Sequence, residues 1–216
     1  MTATPTVSTF DDAYPVVLRL TGRRVLVVGG GKVAVGKARG LLERGAQVTV
    51  VAPQVHPDMP VEVRVKRRRY RARDGRGAHL VFAATDDRAV NQAVFDDAED
   101  RGVWACSVDD PDRCSFALPA VHRDGHVVIA VTTSGASPTL AQAVRDRCAA
   151  ALPDDLGALA DDLARARAAI RAEGGTTEGL AWRPLVDELL ADDAPTPAER
   201  PERVDRWMRM YAGVTA

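Results

Sequence analysis

The sequence predicts an α/β fold: a parallel sheet with helices on both faces, followed by a small α+β segment and a helical C-terminal region. Three observations carry this. Short β-branched apolar runs such as Arg24-Val-Leu-Val-Val-Gly29 end in glycine, the pattern of strands buried on both faces. Through about the first half of the chain these runs alternate with stretches whose apolar residues recur at helical spacing, and that alternation makes a parallel sheet. After Pro111 the rhythm changes, first to two strand-like segments and then to helices alone.

Residues 24–29 form the first strand. From Lys32 to Arg44 the apolar positions Val33, Ala34, Ala38, Leu41 and Leu42 mark a helix that Gly45 stops, and Gln47 to Ala52, closed by Pro53, is the second strand. Val61 to Val65 alternates as a strand, and His79 to Ala84 is a buried one. Asp87 to Arg101 reads as a helix ended by Gly102, and Val103 to Val108 as a further strand. Ser115 to His122 and His126 to Thr133 are strand-like and joined by Arg123-Asp-Gly125, a hairpin signal. A helix follows, with Ser137 as cap and Pro138 in its first turn, running to about Leu152. The remainder reads as helices over 156–172, 177–191 and 197–211.

Composition narrows the function. The 216 residues are 46% apolar and 27% charged, with no run long enough to cross a bilayer, so a transmembrane or disordered chain is excluded. Twenty-nine basic against 30 acidic residues give a net charge of −1, and any preference for anions must be local. Cys106, Cys114 and Cys148 include no Cys-x-x-Cys pair, and the first twelve residues lack the features of a secretory signal, so a cytoplasmic location is expected. His56, His79, His122 and His126 lack metal-ligand spacing, and no structural metal is expected.

The most informative string is Gly29-Gly30-Gly31-Lys32-Val33-Ala34, a G-x-G-x-x-A fingerprint between a buried strand and a helix. The first glycine permits a tight turn, the second lets backbone approach a pyrophosphate, and the small sixth residue lets helix and strand pack closely. Phosphate charge then meets the positive end of the helix dipole. This makes the first unit Rossmann-like and dinucleotide binding the better reading over a merely tight turn. No acidic residue stands at the end of the second strand, where Ala52 and Pro53 are, so the ribose would be held by backbone groups, and NAD is favoured over NADP. Thr85 and Asp86 close the next buried strand, where ligands of open α/β sheets bind; helix capping is an equally good reading. Asp109, in Asp109-Asp110-Pro111, closes another strand; a general base and an ordinary turn both fit, and the residues alone favour the turn. The segment from Arg64 to Arg76 carries eight basic residues and a single aromatic, Tyr70, so a solvated edge is favoured over nucleic-acid binding, with a multiply anionic small molecule as a third reading.

Several strings together resemble the precorrin-2 dehydrogenase family, which includes the N-terminal module of siroheme synthase: residues 14–31, Ala83-Ala-Thr-Asp-Asp, Val108-Asp-Asp-Pro, Cys114-Ser-Phe and Thr133-Ser-Gly-Ala-Ser-Pro. The likeness runs in order from about Tyr14 to Pro153. It implies NAD-dependent oxidation of precorrin-2, a tetrapyrrole, to sirohydrochlorin in a homodimer, and in some members insertion of ferrous iron as well. It implies an acid-base role for Asp109, and a substrate pocket at Thr133, Ser134, Gly135 and Ser137. It also implies a division into a nucleotide-binding domain (1–112), a dimerisation and substrate segment (113–152) and a helical region (153–216). The chain departs from the family where Cys106 and Ser107 stand in place of a frequent asparagine, and where Gly36 stands in place of a frequent arginine. The competing reading is a non-catalytic module that senses NAD or NADH.

Overall fold

The computed structural model describes residues 10, 13–108, 110–191 and 193–213. Two compact units are present, one running up to Leu118 and including Ser134–Ala136, the other made of Pro119–Thr133 and the chain from Ser137 onward.

In the first unit, β1 (Arg24–Val28), β2 (Gln47–Val51), β3 (Arg64–Lys66), β4 (Leu80–Ala83) and β5 (Trp104–Ser107) form an all-parallel sheet in the order β3-β2-β1-β4-β5. Alternate residues of these strands serve opposite faces. Val25, Val27, Val48, Val50, Leu80 and Phe82 pack with Ala34, Ala38 and Leu41 of α1 (Lys32–Leu42). Leu26, Val28, Val51, Val81 and Ala83 pack with Val94 and Ala98 of α2 (Arg88–Glu99). Burying each such Val or Leu contributes roughly 1.5–3 kcal/mol, which explains why runs without a polar residue sit in the middle of the sheet.

The structure corrects several element boundaries. Strand β3 begins at Arg64 and not at Val61, because Pro60 opens a turn in which the Val63 N–H donates to the Pro60 carbonyl. The hairpin strand starts at Ala120 and not at Ser115, because Pro119 has no N–H to give a ladder. Its turn is Gly125-His126, with Gly125 at φ +51°, the first central position of a two-residue turn. The last two helices begin later than their apolar spacing suggests, at Trp182 and Arg200.

The basic segment holds a carboxylate. Asp74, whose side chain is 1% exposed, accepts from Arg68 at 2.5 Å, from Lys66 at 3.0 Å and from the Arg71 N–H at 3.0 Å. The Arg68 guanidinium, with Lys66 and the backbone N–H, holds the Asp74 carboxyl well below the usual carboxylate range. Because the folded-state pKa is depressed, this contribution to stability is complete above the unfolded value of about 4 and is lost as pH falls below it. Asp74→Asn therefore lowers the thermal midpoint at pH 7, and melts repeated down to pH 2 show the gap to the parent protein narrowing only below about pH 4.

In the second unit, β6 (Ala120–Asp124) and β7 (Val127–Val131) pair antiparallel, and α3 (Pro138–Ala150) packs on both. The Asp124 carboxylate, in the hairpin, accepts the Gly157 N–H at 2.7 Å and so caps α4 (Leu156–Ala172). A Cβ at Gly157 would lie 2.8 Å from the Gly125 nitrogen, so glycine is needed at this contact. Helices α4, α5 (Trp182–Leu189) and α6 (Arg200–Tyr211) enclose Leu159, Ala166, Ile170, Leu185, Val204 and Trp207. Arg200, only 4% exposed, pairs there with Asp155 and, at 3.5 Å, with Asp162. Among the described residues no helix is long and apolar enough to cross a membrane.

Candidate functional site

The carboxyl ends of β1, β2 and β4 open into a cleft of about 1160 Å³. Its floor is the fingerprint, whose three glycines stand under different constraints. Gly29 sits at φ +124°, and a Cβ there would fall 2.1 Å from the Ala84 carbonyl oxygen, where the chain leaves β4. Gly30, which the fingerprint leaves unspecified, is constrained as tightly: a Cβ would lie 2.0 Å from the Gln54 carbonyl oxygen. A Cβ at Gly31 would meet nothing within 4 Å, so the room that this glycine leaves faces the cleft. Ala34, fully buried, lets α1 lie close to β1.

Gly31 is also the N-cap of α1, and it offers no side-chain oxygen to the free N–H groups of Lys32 and Val33. The first turn of α1 carries no acidic residue, and Lys32 stands at its start. A helix end with free donors, a positive dipole and an adjacent cation suits a phosphate group. The residues present therefore fit the pyrophosphate of a dinucleotide. Ala52 and Pro53 form the wall at the end of β2, and His56 is fixed beside them by its N–H, which donates to the Gly30 carbonyl at 2.7 Å. Arg69 and Tyr70 complete this side, bringing to the cleft an arginine that β2 itself does not supply. The Tyr70 hydroxyl donates to Asp97 at 2.9 Å, which anchors the ring against α2.

On the opposite wall, Thr85 and Asp86 line the cleft, and neither caps α2. The cap is Asp87, whose carboxylate accepts the Ala89 and Val90 N–H groups at 2.9 and 3.2 Å. Thr85 is locked instead by Asn91, 7% exposed, which accepts from the Thr85 hydroxyl at 2.7 Å and donates to its carbonyl at 2.9 Å. Asn91 escapes sequence reasoning because its partner lies six residues earlier, outside the helix. Asp86 is left exposed at the cleft.

Asp109 lies outside the described residues. The flanking Asp110 is engaged by Arg113, which also reaches Gln92 of α2. In the second unit, the Thr133 hydroxyl donates to the Ser137 carbonyl and accepts the Ser137 N–H, both at 3.0 Å, while Ser137 Oγ accepts the Leu140 N–H and caps α3. Ser134 at φ +52° and Gly135 at φ +87° put two successive left-handed residues before that helix. For Ser134 this backbone is uncommon, and such strain concentrates at functional sites. No group of three or more His, Cys, Asp or Glu able to hold a metal ion occurs among the described residues.

Comparison with known proteins agrees with this geometry. The family described as "Putative NAD(P)-binding" matches residues 16–120, so the first unit is an NAD(P)-binding domain. A siroheme synthase of Gluconacetobacter diazotrophicus is 42% identical over 168 residues, which cover 74% of this chain and 36% of that protein. A siroheme synthase of Tolumonas auensis is 37% identical over 204 residues, 91% of this chain and 43% of that protein. The chain thus spans well under half the length of these relatives. The solved structure of SirC, a precorrin-2 dehydrogenase, superimposes with a TM-score of 0.72 at 26% identity, covering 91% of this chain and 99% of that one. With the Rossmann-like sheet, the fingerprint cleft and a likeness that extends through the helical region, the chain is similar to a precorrin-2 dehydrogenase over nearly its whole length and to the corresponding part of siroheme synthases.

Proposed function

We propose that the protein is an NAD-dependent precorrin-2 dehydrogenase that produces sirohydrochlorin. The observation that carries this reading is the fingerprint cleft, built for a dinucleotide, in a chain that matches nearly the whole of a precorrin-2 dehydrogenase. NAD, when bound, supplies the hydride acceptor. Gly29, Gly30 and Gly31 shape the floor beneath it, Lys32, Val33 and Ala34 open the helix that receives the pyrophosphate, Ala52 and Pro53 flank the ribose, and Thr85 and Asp86 form the far wall. NAD is preferred to NADP because β2 ends in Ala52-Pro53 with no basic residue of its own; Arg69, on the same side of the cleft, is the cation that would favour NADP instead, and parallel binding titrations with the two dinucleotides test that choice.

Asp109 is assigned the proton removed as hydride departs, the role that the family resemblance gives it. Thr133, Ser134, Gly135 and Ser137 are assigned to the carboxylated macrocycle, for which the N-terminus of α3 is an attractive end. A homodimer is supported by the apolar residues that β6, β7 and α3 leave exposed, Val121, Val128, Leu140 and Val144, since a two-stranded sheet is marginal by itself. Ferrous iron enters this scheme as a second substrate in a chelation step.

The decisive experiment is anaerobic. Purified protein with precorrin-2 and NAD is expected to produce NADH and sirohydrochlorin in equal amounts, and addition of ferrous iron then reads chelation. Dinucleotide binding without NADH formation would establish the sensor in place of the enzyme. Asp109→Ala is expected to bind NAD as the parent does and to lose turnover by about 100-fold or more, the scale of a general base. Unchanged steady-state rates would return Asp109 to a turn.

A further inference from the structure

Next to the carboxyl end of β5 lie two side chains that the proposed chemistry does not use. Cys106, 9% exposed within the core against α1, faces Cys114 across an antiparallel bridge, where the chain returns beside β5. Both are free thiols, with their sulfurs 2.9 Å apart. The Ser115 N–H donates to the Ala105 carbonyl at 2.8 Å, which puts the two cysteines in the non-hydrogen-bonded register. Facing Cα atoms in that register lie about 4.5 Å apart, within the roughly 4.4–6.8 Å that a disulfide spans.

The surroundings make the two thiols unequal. The Cys114 S–H donates to Cys106, which favours the Cys106 thiolate, and the Lys37 ammonium adds to this. The same hydrogen bond, with burial, pushes the Cys114 thiol up. A thiolate beside a protonated thiol is the arrangement of an attacking and a resolving cysteine.

We propose that Cys106 and Cys114 are a peroxide-reactive pair, a modification site at which hydrogen peroxide converts the two thiols to a reversible disulfide within the chain. The Cys106 thiolate attacks a peroxide oxygen; the O–O bond breaks, hydroxide leaves, and Cys106 becomes a sulfenic acid. The Cys114 sulfur then attacks the Cys106 sulfur, the S–S bond forms as the S–O bond breaks, and the Cys114 proton leaves with the departing oxygen as water. Two thiols and one peroxide thus give one disulfide and two waters; the sulfur pair loses two electrons and the peroxide gains them. Peroxide is the oxidant of choice because it is small enough to reach a nearly buried sulfur. Thiol reductants reverse the bond by exchange.

The test uses the full chain carrying Cys148→Ser, which removes the exposed third thiol. Trypsin cuts after Arg113 and so separates Cys106 and Cys114 into different peptides. After brief exposure to peroxide and alkylation under denaturing conditions, mass spectrometry is expected to show residues 102–113 joined to 114–123, two hydrogens lighter than their sum, with loss of both alkylated forms and their recovery after dithiothreitol. Both cysteines alkylated as in the untreated sample, or Cys106 carried to an irreversible acid without the joined peptide, would overturn the proposal. In Cys114→Ser, dimedone is expected to label Cys106, and absence of that label while the parent still forms the joined peptide would overturn the assignment of Cys106 as the attacking sulfur.

Discussion

Gly29→Ala is expected to destabilise the nucleotide-binding unit strongly, whereas Gly31→Ala keeps the fold and weakens dinucleotide binding. At Gly29 the backbone is in a region that L side chains rarely adopt, which costs about 1–3 kcal/mol by strain alone. The added methyl group would also sit 2.1 Å from a backbone oxygen at the end of β4, an atom that moves only if the strand moves. The combined cost is expected to reach about 3 kcal/mol or more, a large share of the whole stability of a domain. Gly30→Ala meets the Gln54 carbonyl and is expected to behave like Gly29→Ala. At Gly31 φ is −79°, open to any residue, and the methyl group meets no protein atom. Its stability cost is at most about 1 kcal/mol, that of a poorer N-cap, while dinucleotide affinity falls by about tenfold or more because the methyl group occupies the phosphate's place. Thermal melts read the first effect and calorimetric titration the second. Equal losses of stability in Gly29→Ala and Gly31→Ala would remove the distinction drawn between turn and phosphate site.

Arg200→Ala is expected to destabilise the helical unit by about 3–5 kcal/mol. The guanidinium is buried between Asp155 and Asp162, and the Asp162 side chain is only 10% exposed. Truncating the cation leaves that carboxylate out of water without its partner, and the penalty exceeds the net value of the pair itself. Arg165 also touches Asp162, but its side chain is 65% exposed, so water screens what it can return. Denaturant unfolding followed by the fluorescence of Trp182 and Trp207, which stack at 4.4 Å in the same unit, reports the change directly. The double variant Arg200→Met/Asp162→Leu removes both charges and is expected to lose much less. A double variant as unstable as the single one would mean that packing, not the unpaired charge, sets the cost.

These two residues mark what the sequence makes legible. The β1-α1-β2 unit is readable because its signals are local: an apolar run, a glycine fingerprint, a helical period and a stop lie within thirty residues. Ala34, the opening of α1 and the cleft at the strand ends follow from the same stretch. The requirement at Gly30 is hidden because the atom that imposes it, the Gln54 carbonyl, arrives from the far end of β2. Asp74 is hidden inside a run of basic residues, where composition suggests only a solvated edge, and Arg200 is hidden in an arginine-rich tail, where a buried guanidinium reads like any exposed one. The facing of Cys106 and Cys114 depends on the chain doubling back after residues 111–113, which no spacing rule reveals. Signals carried by a contiguous string were readable; contacts made where the chain turns back on itself were not.

The way the sheet ends has a consequence for solubility. An open edge strand offers unpaired amides and carbonyls on which another chain can template, a route to aggregation. Here one edge, β3, is three residues long and carries Arg64 and Lys66, charges that resist stacking. At the other, Ser115 occupies Ala105 of β5 completely: its N–H donates to the Ala105 carbonyl and its Oγ accepts the Ala105 N–H at 2.7 Å. A nascent or partly unfolded copy therefore finds no long bare strand on this sheet to extend, and growth by strand addition is blocked at both of its margins.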